Sequence, residues 1–174
     1  ECRGRGANYV LLSPNGAYFV ICYLATMLSG NVVVPLEPRI SRRELRRVVD
    51  ICQPTGAFVD RVLLPKWRDI ESEVEPLVDL DAAPPAELAS VAEVADDDLA
   101  AILFTSGTTG ERKGVMLSHG NLRANTESIL SYLKLSSRDR MLVTLPFSYC
   151  YGASLLHTHL RVGGSLALSN PISL

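Results

Sequence analysis

Charge of one sign is what this 174-residue sequence most lacks: 17 Lys and Arg stand against 19 Asp and Glu, a formal net charge of −2. A chain so nearly balanced is a poor candidate for general nucleic-acid binding, which draws its affinity from clustered positive charge. Aromatics are scarce as well, at 6%, so few platforms exist on which single-stranded bases would stack. The four cysteines, Cys2, Cys22, Cys52 and Cys150, lie far apart with no C-x-x-C pair, which argues against a disulfide framework or a zinc site. Cys22 and Cys52 fall in apolar helical patterns and are read as buried, reduced thiols, which fits a reducing, cytoplasmic compartment. The most apolar stretch, Ala17–Leu28, is shorter than the roughly 20 residues of a membrane span and carries Tyr23 and Thr26. No signal peptide is visible.

What is present is ordinary globular material: 47% apolar and 21% charged residues, enough to exclude a wholly disordered chain and to build one sizeable core. The chain opens at Glu1 rather than Met, runs almost at once into a core-like strand, and ends at Pro171-Ile172-Ser173-Leu174 without a recognisable cap. It is therefore expected to be a segment of a longer protein.

Hydrophobic patterning predicts alternating strands and helices. Ala7–Leu12 reads as a buried strand, and Asn15 as the cap of a nearly all-apolar helix over 16–29 that Gly30 closes. Val32–Val34 is a second strand. Ser41-Arg42-Arg43-Glu44 is a capping box opening a helix whose Leu45, Val48, Val49 and Cys52 recur at i, i+3, i+4 and i+7. Pro54 ends it, and 56–60 is a third strand. Residues 61–98, with Pro65, Pro76, Pro84 and Pro85, read as a connecting excursion holding one short strand at 76–80. The pattern resumes with a strand at Leu99–Phe104, a loop, and a short strand Val115–Leu117. Ser118 caps a helix running to about Leu135, with the stripe Leu122, Thr126, Ile129, Leu130 and Leu133. Met141–Leu145 is the next strand, 146–152 a loop, Ser154–Val162 a helix, and Ser165–Leu168 the last strand after Gly163-Gly164. Such alternation implies an α/β fold: a mostly parallel sheet with helices on both faces, because the strands are continuous apolar runs. Three units are expected: 1–60, the excursion 61–98, and 99–174.

The segment Thr105–Gly114 packs four hydroxyl residues, three glycines and Lys113 into ten positions after a buried strand. Glycines let the backbone approach a ligand and turn its N–H groups toward one point; hydroxyls add donors; a lysine adds a mobile positive charge. Those are the needs of a polyphosphate. The alternative is a plain flexible polar loop. It is not a Walker A loop, since Lys113 leads into Gly114 and a strand, and no G-x-G-x-x-G fingerprint occurs.

Thr105–Gly114 resembles the glycine-rich signature of the AMP-forming adenylating enzymes, the superfamily of acyl-CoA synthetases, peptide-synthetase adenylation domains and luciferases. Tyr23–Gly30 with Val33-Val34-Pro35-Leu36 resembles an upstream core motif, Leu117–Leu122 the usual continuation, and Leu145–Gly152 the aromatic-rich acyl-pocket motif. The four segments stand in family order and span almost the whole chain. Two positions depart from the pattern: Arg112 stands where the family usually has Pro, and Tyr149 where many acyl-CoA synthetases carry His.

The resemblance implies a partial N-terminal domain of a ligase that joins a carboxylic acid to ATP, releases pyrophosphate, and passes the acyl group to coenzyme A or a carrier protein's pantetheine. It implies phosphate contacts at Thr105, Ser106, Gly107, Thr108, Thr109, Gly110 and Lys113, with Lys113 catalytic and Mg²⁺ sharing the charge. Tyr149 and Gly152 become acyl-pocket candidates, although Tyr149 reads equally well as a core aromatic. The adenine-side motif, the hinge and the late catalytic lysine of the family are absent, so this segment alone is expected to be inactive. A reading of another class stands beside it: a stand-alone ATP- or phosphate-binding module without catalysis.

Weaker features carry bland expectations. His157 and His159, two apart, point to different faces of a helix and read as surface residues, not a metal pair. Arg42, Arg43, Arg46 and Arg47 read as a solvated face, with a carrier-protein contact as the other option. His119 is placed at a helix N-terminus, Asp96-Asp97-Asp98 at a solvated strand entrance, and Trp67 over an edge.

Overall fold

The computed structural model describes residues 6–78, 91–105 and 112–169. The first unit alternates as the sequence implies: β1 (Asn8–Leu12), α1 (Ala17–Leu28), β2 (Val32–Leu36), α2 (Arg42–Cys52) and β3 (Gly56–Val59). β1 is central, with β2 and β3 parallel to it on either side. Its two crossovers therefore run in opposite directions, and right-handed connections put α1 and α2 on opposite faces of the sheet. The core divides accordingly. Val10, Leu12, Val34 and Leu36 pack on one face with Leu45, Val48, Val49 and Cys52 of α2. Leu11 and Val33 pack on the other with Phe19, Cys22 and Tyr23 of α1. Alternate side chains thus enter different cores, and all five residues of β2 are buried. Burying each of Leu45, Val48 and Val49 contributes about 1.5–3 kcal/mol.

The capping box of α2 is present: Ser41 Oγ accepts from the Glu44 N–H, and the Glu44 carboxylate accepts from the Ser41 N–H. Gly30, at φ +74°, turns the chain out of α1 in the left-handed region that glycine favours. The cap expected at Asn15 is not made, because Gly16 is the N-cap of α1 and no side chain bonds there. Asn15 is engaged elsewhere, as described below.

The described part of the excursion buries Trp67 and Ile70. A 3₁₀ turn (Arg61–Leu63), α3 (Leu64–Arg68) and β4 (Pro76–Leu77) follow β3, and β4 pairs with β3 in parallel. Residues 79 and 80 of the expected strand lie outside the described residues. Trp67 does not cover an edge. It is 2% exposed within the α2-side core, and its Nε1–H donates to the Val74 carbonyl at 3.1 Å. A lone large aromatic beside proline gave no sign that the excursion folds back over α2.

β5 (Leu99–Thr105) joins β2 in parallel through the Val33–Ala101 register. β6 (Lys113–Ser118) returns antiparallel along β5, giving a six-stranded sheet in the order β4-β3-β1-β2-β5-β6. Ser118 caps α4 (His119–Leu133), bonding the Asn121 N–H at 3.1 Å. Of the α4 stripe only Thr126 is buried, and Leu133 is 52% exposed. β7 (Arg140–Val143) and β8 (Ser165–Leu168) form a separate parallel pair, with α5 (Cys150–Val162) between them in sequence. α5 begins four residues before the expected Ser154. Its N-cap, Tyr149, makes no side-chain cap bond, so the usual start signal is absent. Ser154 is inside the helix and donates back to the Cys150 carbonyl.

Neither His157 nor His159 is the surface residue that its helix position implies. His159 is 3% exposed, with Nδ1 2.9 Å from the Leu155 carbonyl. His157 packs on Tyr23, 3.0 Å from its hydroxyl. They do point different ways, but both face protein rather than solvent. Among the described residues no group of three metal-ligating side chains occurs, and no helix is long and apolar enough to cross a membrane.

Candidate functional site

In open α/β sheets the carboxyl ends of parallel strands leave a crevice where ligands bind. Here that edge gathers the segments singled out in the sequence. β2 ends at Leu36 and delivers Glu37. β5 ends at Thr105 and opens the hydroxyl- and glycine-rich loop. β1 ends at Leu12 and leads to Asn15.

The β5–β6 hairpin fixes both ends of that loop. Thr105 pairs with Lys113, and Phe104 with Gly114. The Thr105 hydroxyl lies 3.5 Å from the Lys113 carbonyl. Lys113 is exposed and its ammonium makes no ion pair among the described residues. A Cβ at Gly114 would lie 2.9 Å from Ile102 Cγ2 and 3.3 Å from the Phe104 ring, so a side chain there would make its neighbours shift. Ser106, Gly107, Thr108, Thr109 and Gly110 lie outside the described residues. Lys113 and Thr105, at the two ends of the loop, are a charge and a donor of the kind a polyphosphate needs.

Arg112, next to Lys113, is anchored by two carboxylates. Its Nε donates to Glu44 Oε1 at 2.8 Å and its Nη2 to Glu37 Oε1 at 2.7 Å. The other Glu37 oxygen accepts from the Tyr149 hydroxyl at 2.7 Å. Side-chain exposure is 18% for Arg112 and 16% for Glu37, so that ion pair is largely shielded from water. Burial alone would raise the Glu37 carboxyl, but the bonds from Tyr149 and Arg112 outweigh it and hold it below its usual value. Glu44 is lowered to about 2, first by Arg112 and then by Ser41. The Tyr149 phenol is raised, chiefly because it donates to a carboxylate. Pro35, Leu36, Phe104 and Ser148 complete a small pocket around the cluster.

The acyl-pocket candidates divide. Tyr149 is linked to Arg112 through Glu37 and is 39% exposed, so it is not a core residue. Gly152 is buried in the first turn of α5, where a Cβ would fall 2.1 Å from the Pro146 carbonyl oxygen. Its lack of a side chain lets the 146–149 loop fold back on the helix. Asn15 sets that loop from the other side: its Nδ2 donates to the Leu145 carbonyl at 2.9 Å, and its Oδ1 accepts from the Phe147 N–H at 2.8 Å. A larger groove of about 520 Å³ between α4, α5 and β7 contains none of the expected site residues.

Glu37, Glu44 and Asn15 escaped the sequence reading as site residues. Glu44 was visible only as a cap, and Asn15 had the more local explanation of capping α1. For Glu37, the one hint was that Arg112 introduces a cation where the resembled motif has none. The arginine face is more engaged than expected: Arg42 pairs with Asp69, and Arg46 with Asp50 and the Ile70 carbonyl. Asp96 pairs with Arg123. His119 opens α4 as expected, and its Nε2 is buried without a hydrogen-bond partner among the described residues.

A mostly parallel α/β sheet of this order belongs to the class of open α/β folds that bind ligands at the carboxyl ends of their strands. Comparison narrows the class. The AMP-binding enzyme family matches residues 3–173, and the chain belongs to it. It is 30% identical over 180 residues to the peroxisomal OPC-8:0-CoA ligase 1 of Arabidopsis thaliana, covering 92% of this chain and 33% of that protein. It is 32% identical over 149 residues to the hybrid PKS-NRPS synthetase poxE of Penicillium oxalicum, covering 84% of this chain and 4% of that protein. The crystal structure of ATP-bound MatB from Rhodopseudomonas palustris superposes with a TM-score of 0.82 at 29% identity, covering 95% of this chain and 35% of that one. The chain thus spans about a third of the CoA ligase and of the ATP-bound structure.

Proposed function

We propose that this chain is the phosphate-loop and acyl-loop portion of an AMP-forming acid–thiol ligase. The observation that carries the reading is the convergence at one sheet edge of the Thr105–Lys113 hairpin mouth and Tyr149, held together by Glu37 and Arg112. The reaction joins a carboxylic acid to ATP. A carboxylate oxygen attacks the α-phosphorus, the bond from that phosphorus to the bridging oxygen breaks, and pyrophosphate leaves. A thiol then attacks the acyl carbon and displaces AMP. The first step needs alignment and charge compensation on the leaving group.

In this reading Lys113 and Thr105, with Ser106, Gly107, Thr108, Thr109 and Gly110, hold the leaving phosphates, and Mg²⁺ shares their charge. Tyr149 and Gly152 shape the acyl side: Tyr149 presents its ring, and Gly152 lets the 146–149 loop lie close. The thiol belongs to coenzyme A or to a pantetheine-bearing carrier protein. The named CoA ligase supports the first acceptor and the PKS-NRPS synthetase the second. Free thiols at Cys22, Cys52 and Cys150 support a reducing, cytoplasmic setting. The segment by itself does not complete adenylation, in keeping with the third of a ligase that it spans.

Carboxylate-dependent ATP–pyrophosphate exchange by the full-length protein is the test. Lys113→Ala is expected to lower exchange by about 10²-fold or more, the usual loss of one charge-stabilising group. Full exchange by a Lys113→Ala, Thr109→Ala double variant would remove the loop from the reaction.

A further inference from the structure

Arg112 and Tyr149, the two positions that depart from the resembled motifs, are joined by a third residue that no motif contains. One Glu37 oxygen accepts from Arg112 at 2.7 Å and the other from Tyr149 at 2.7 Å. Arg112 is covalently next to Lys113, where β6 begins, and Tyr149 is the N-cap of α5. Glu37 itself follows the buried strand β2 directly, so its backbone is anchored in the sheet. Glu44 holds Arg112 from α2, with Nε to Oε1 at 2.8 Å. Both termini of the bridge are thus fixed to rigid elements, while the carboxylate spans two loops.

We propose that Glu37 is a positioning residue that couples the phosphate loop to the acyl loop, so that a change at Tyr149 alters the handling of ATP through Arg112. This rests on the ligase reading. The physical basis is the charge. A single carboxylate accepts from a guanidinium and a phenol at once, and both bonds are charge-assisted. Without the Tyr149 hydroxyl the Glu37 side chain has one partner and is free to rotate about it. Arg112 then keeps its bond to Glu44 but loses the fixed position of its second carboxylate, beside Lys113 at the start of β6. The pairing also accounts for the two departures together: an arginine on the phosphate loop and a hydroxyl on the acyl loop both find the one acceptor between them.

The experiment uses the full-length protein and steady-state ATP–pyrophosphate exchange with ATP varied at saturating carboxylate. Tyr149→Phe removes one exposed hydroxyl and preserves the ring, so folding is not at stake. It is expected to raise KM for ATP on the order of 5-fold, the scale of one charge-assisted hydrogen bond acting indirectly. Glu37→Gln is expected to raise it by a similar factor, and the Tyr149→Phe, Glu37→Gln double variant by no more than Glu37→Gln alone. Such non-additivity on the ATP side is a readout that a merely structural tyrosine would not move. Exchange with an unchanged KM for ATP in Tyr149→Phe, or with fully multiplicative effects in the double variant, overturns the coupling and leaves the ligase reading standing. No exchange by the unaltered protein overturns both.

Discussion

Gly152→Ala separates two physical effects of opposite sign. Gly152 lies in the first turn of α5. Helix propensity alone favours alanine over glycine by up to about 1 kcal/mol. Packing opposes it. The new Cβ would stand 2.1 Å from the Pro146 carbonyl oxygen, 2.7 Å from its carbon and 3.1 Å from Phe147 Cα. All three are backbone atoms, so no side chain can rotate away, and the 146–147 segment must move by about 1 Å to reach ordinary contact. That segment is not free to do so, since Asn15 bonds Leu145 and Phe147, and the Phe147 ring is fully buried against Phe19. Overpacking of this kind costs about 1–3 kcal/mol, more when backbone must shift. Subtracting the propensity gain leaves a net loss of roughly 2 kcal/mol, a fall in Tm of about 4 °C or less in a protein longer than this segment. Thermal unfolding of the full-length protein, followed by circular dichroism, measures it. Gly16→Ala is the control, because nothing lies within 4 Å of a Cβ there; it should cost less than about 1 kcal/mol. A Gly152→Ala protein as stable as the parent would refute the close-approach argument.

Asn15→Ala removes both bonds from Asn15 to the acyl loop and should lower stability by about 1–3 kcal/mol in urea denaturation, with greater amide exchange at Phe147. His157 is lowered by burial to about 4. Its stabilising neutral form is therefore fully effective above its ordinary value near 6.5 and is lost as pH falls toward 4. His157→Gln should flatten the decline in Tm over that interval; an unchanged slope would count against the burial. Glu44, held at about 2 by Arg112 and Ser41, contributes above about 4.5 and loses its contribution as pH falls toward 2. At 38% side-chain exposure solvent screening limits this to about 1 kcal/mol, and Glu44→Gln should cost that much at pH 7 and nothing at pH 2.

Local rules determined much of this protein by themselves. The i, i+3, i+4, i+7 spacing of Leu45, Val48, Val49 and Cys52, the Ser41–Glu44 box and the apolar β2 run set strand and helix within a few residues, and their alternation set a parallel sheet. The strands before and after Thr105–Gly114 were legible as well, and the two pair as β5 and β6. Each of these signals acts between neighbours in sequence, where spacing is geometry. What the tertiary structure decided involves partners brought together from afar. Asn15 left its expected cap to bond the Leu145 carbonyl and the Phe147 N–H, 130 and 132 positions away. Trp67 and His159 were drawn inside by surfaces no local pattern records. α5 began at Cys150 without a cap signal because Gly152 could press against Pro146. Glu37 joined Arg112 and Tyr149 across 75 and 112 positions of chain, a meeting that depends on the strand order β1-β2-β5 bringing those segments to one edge.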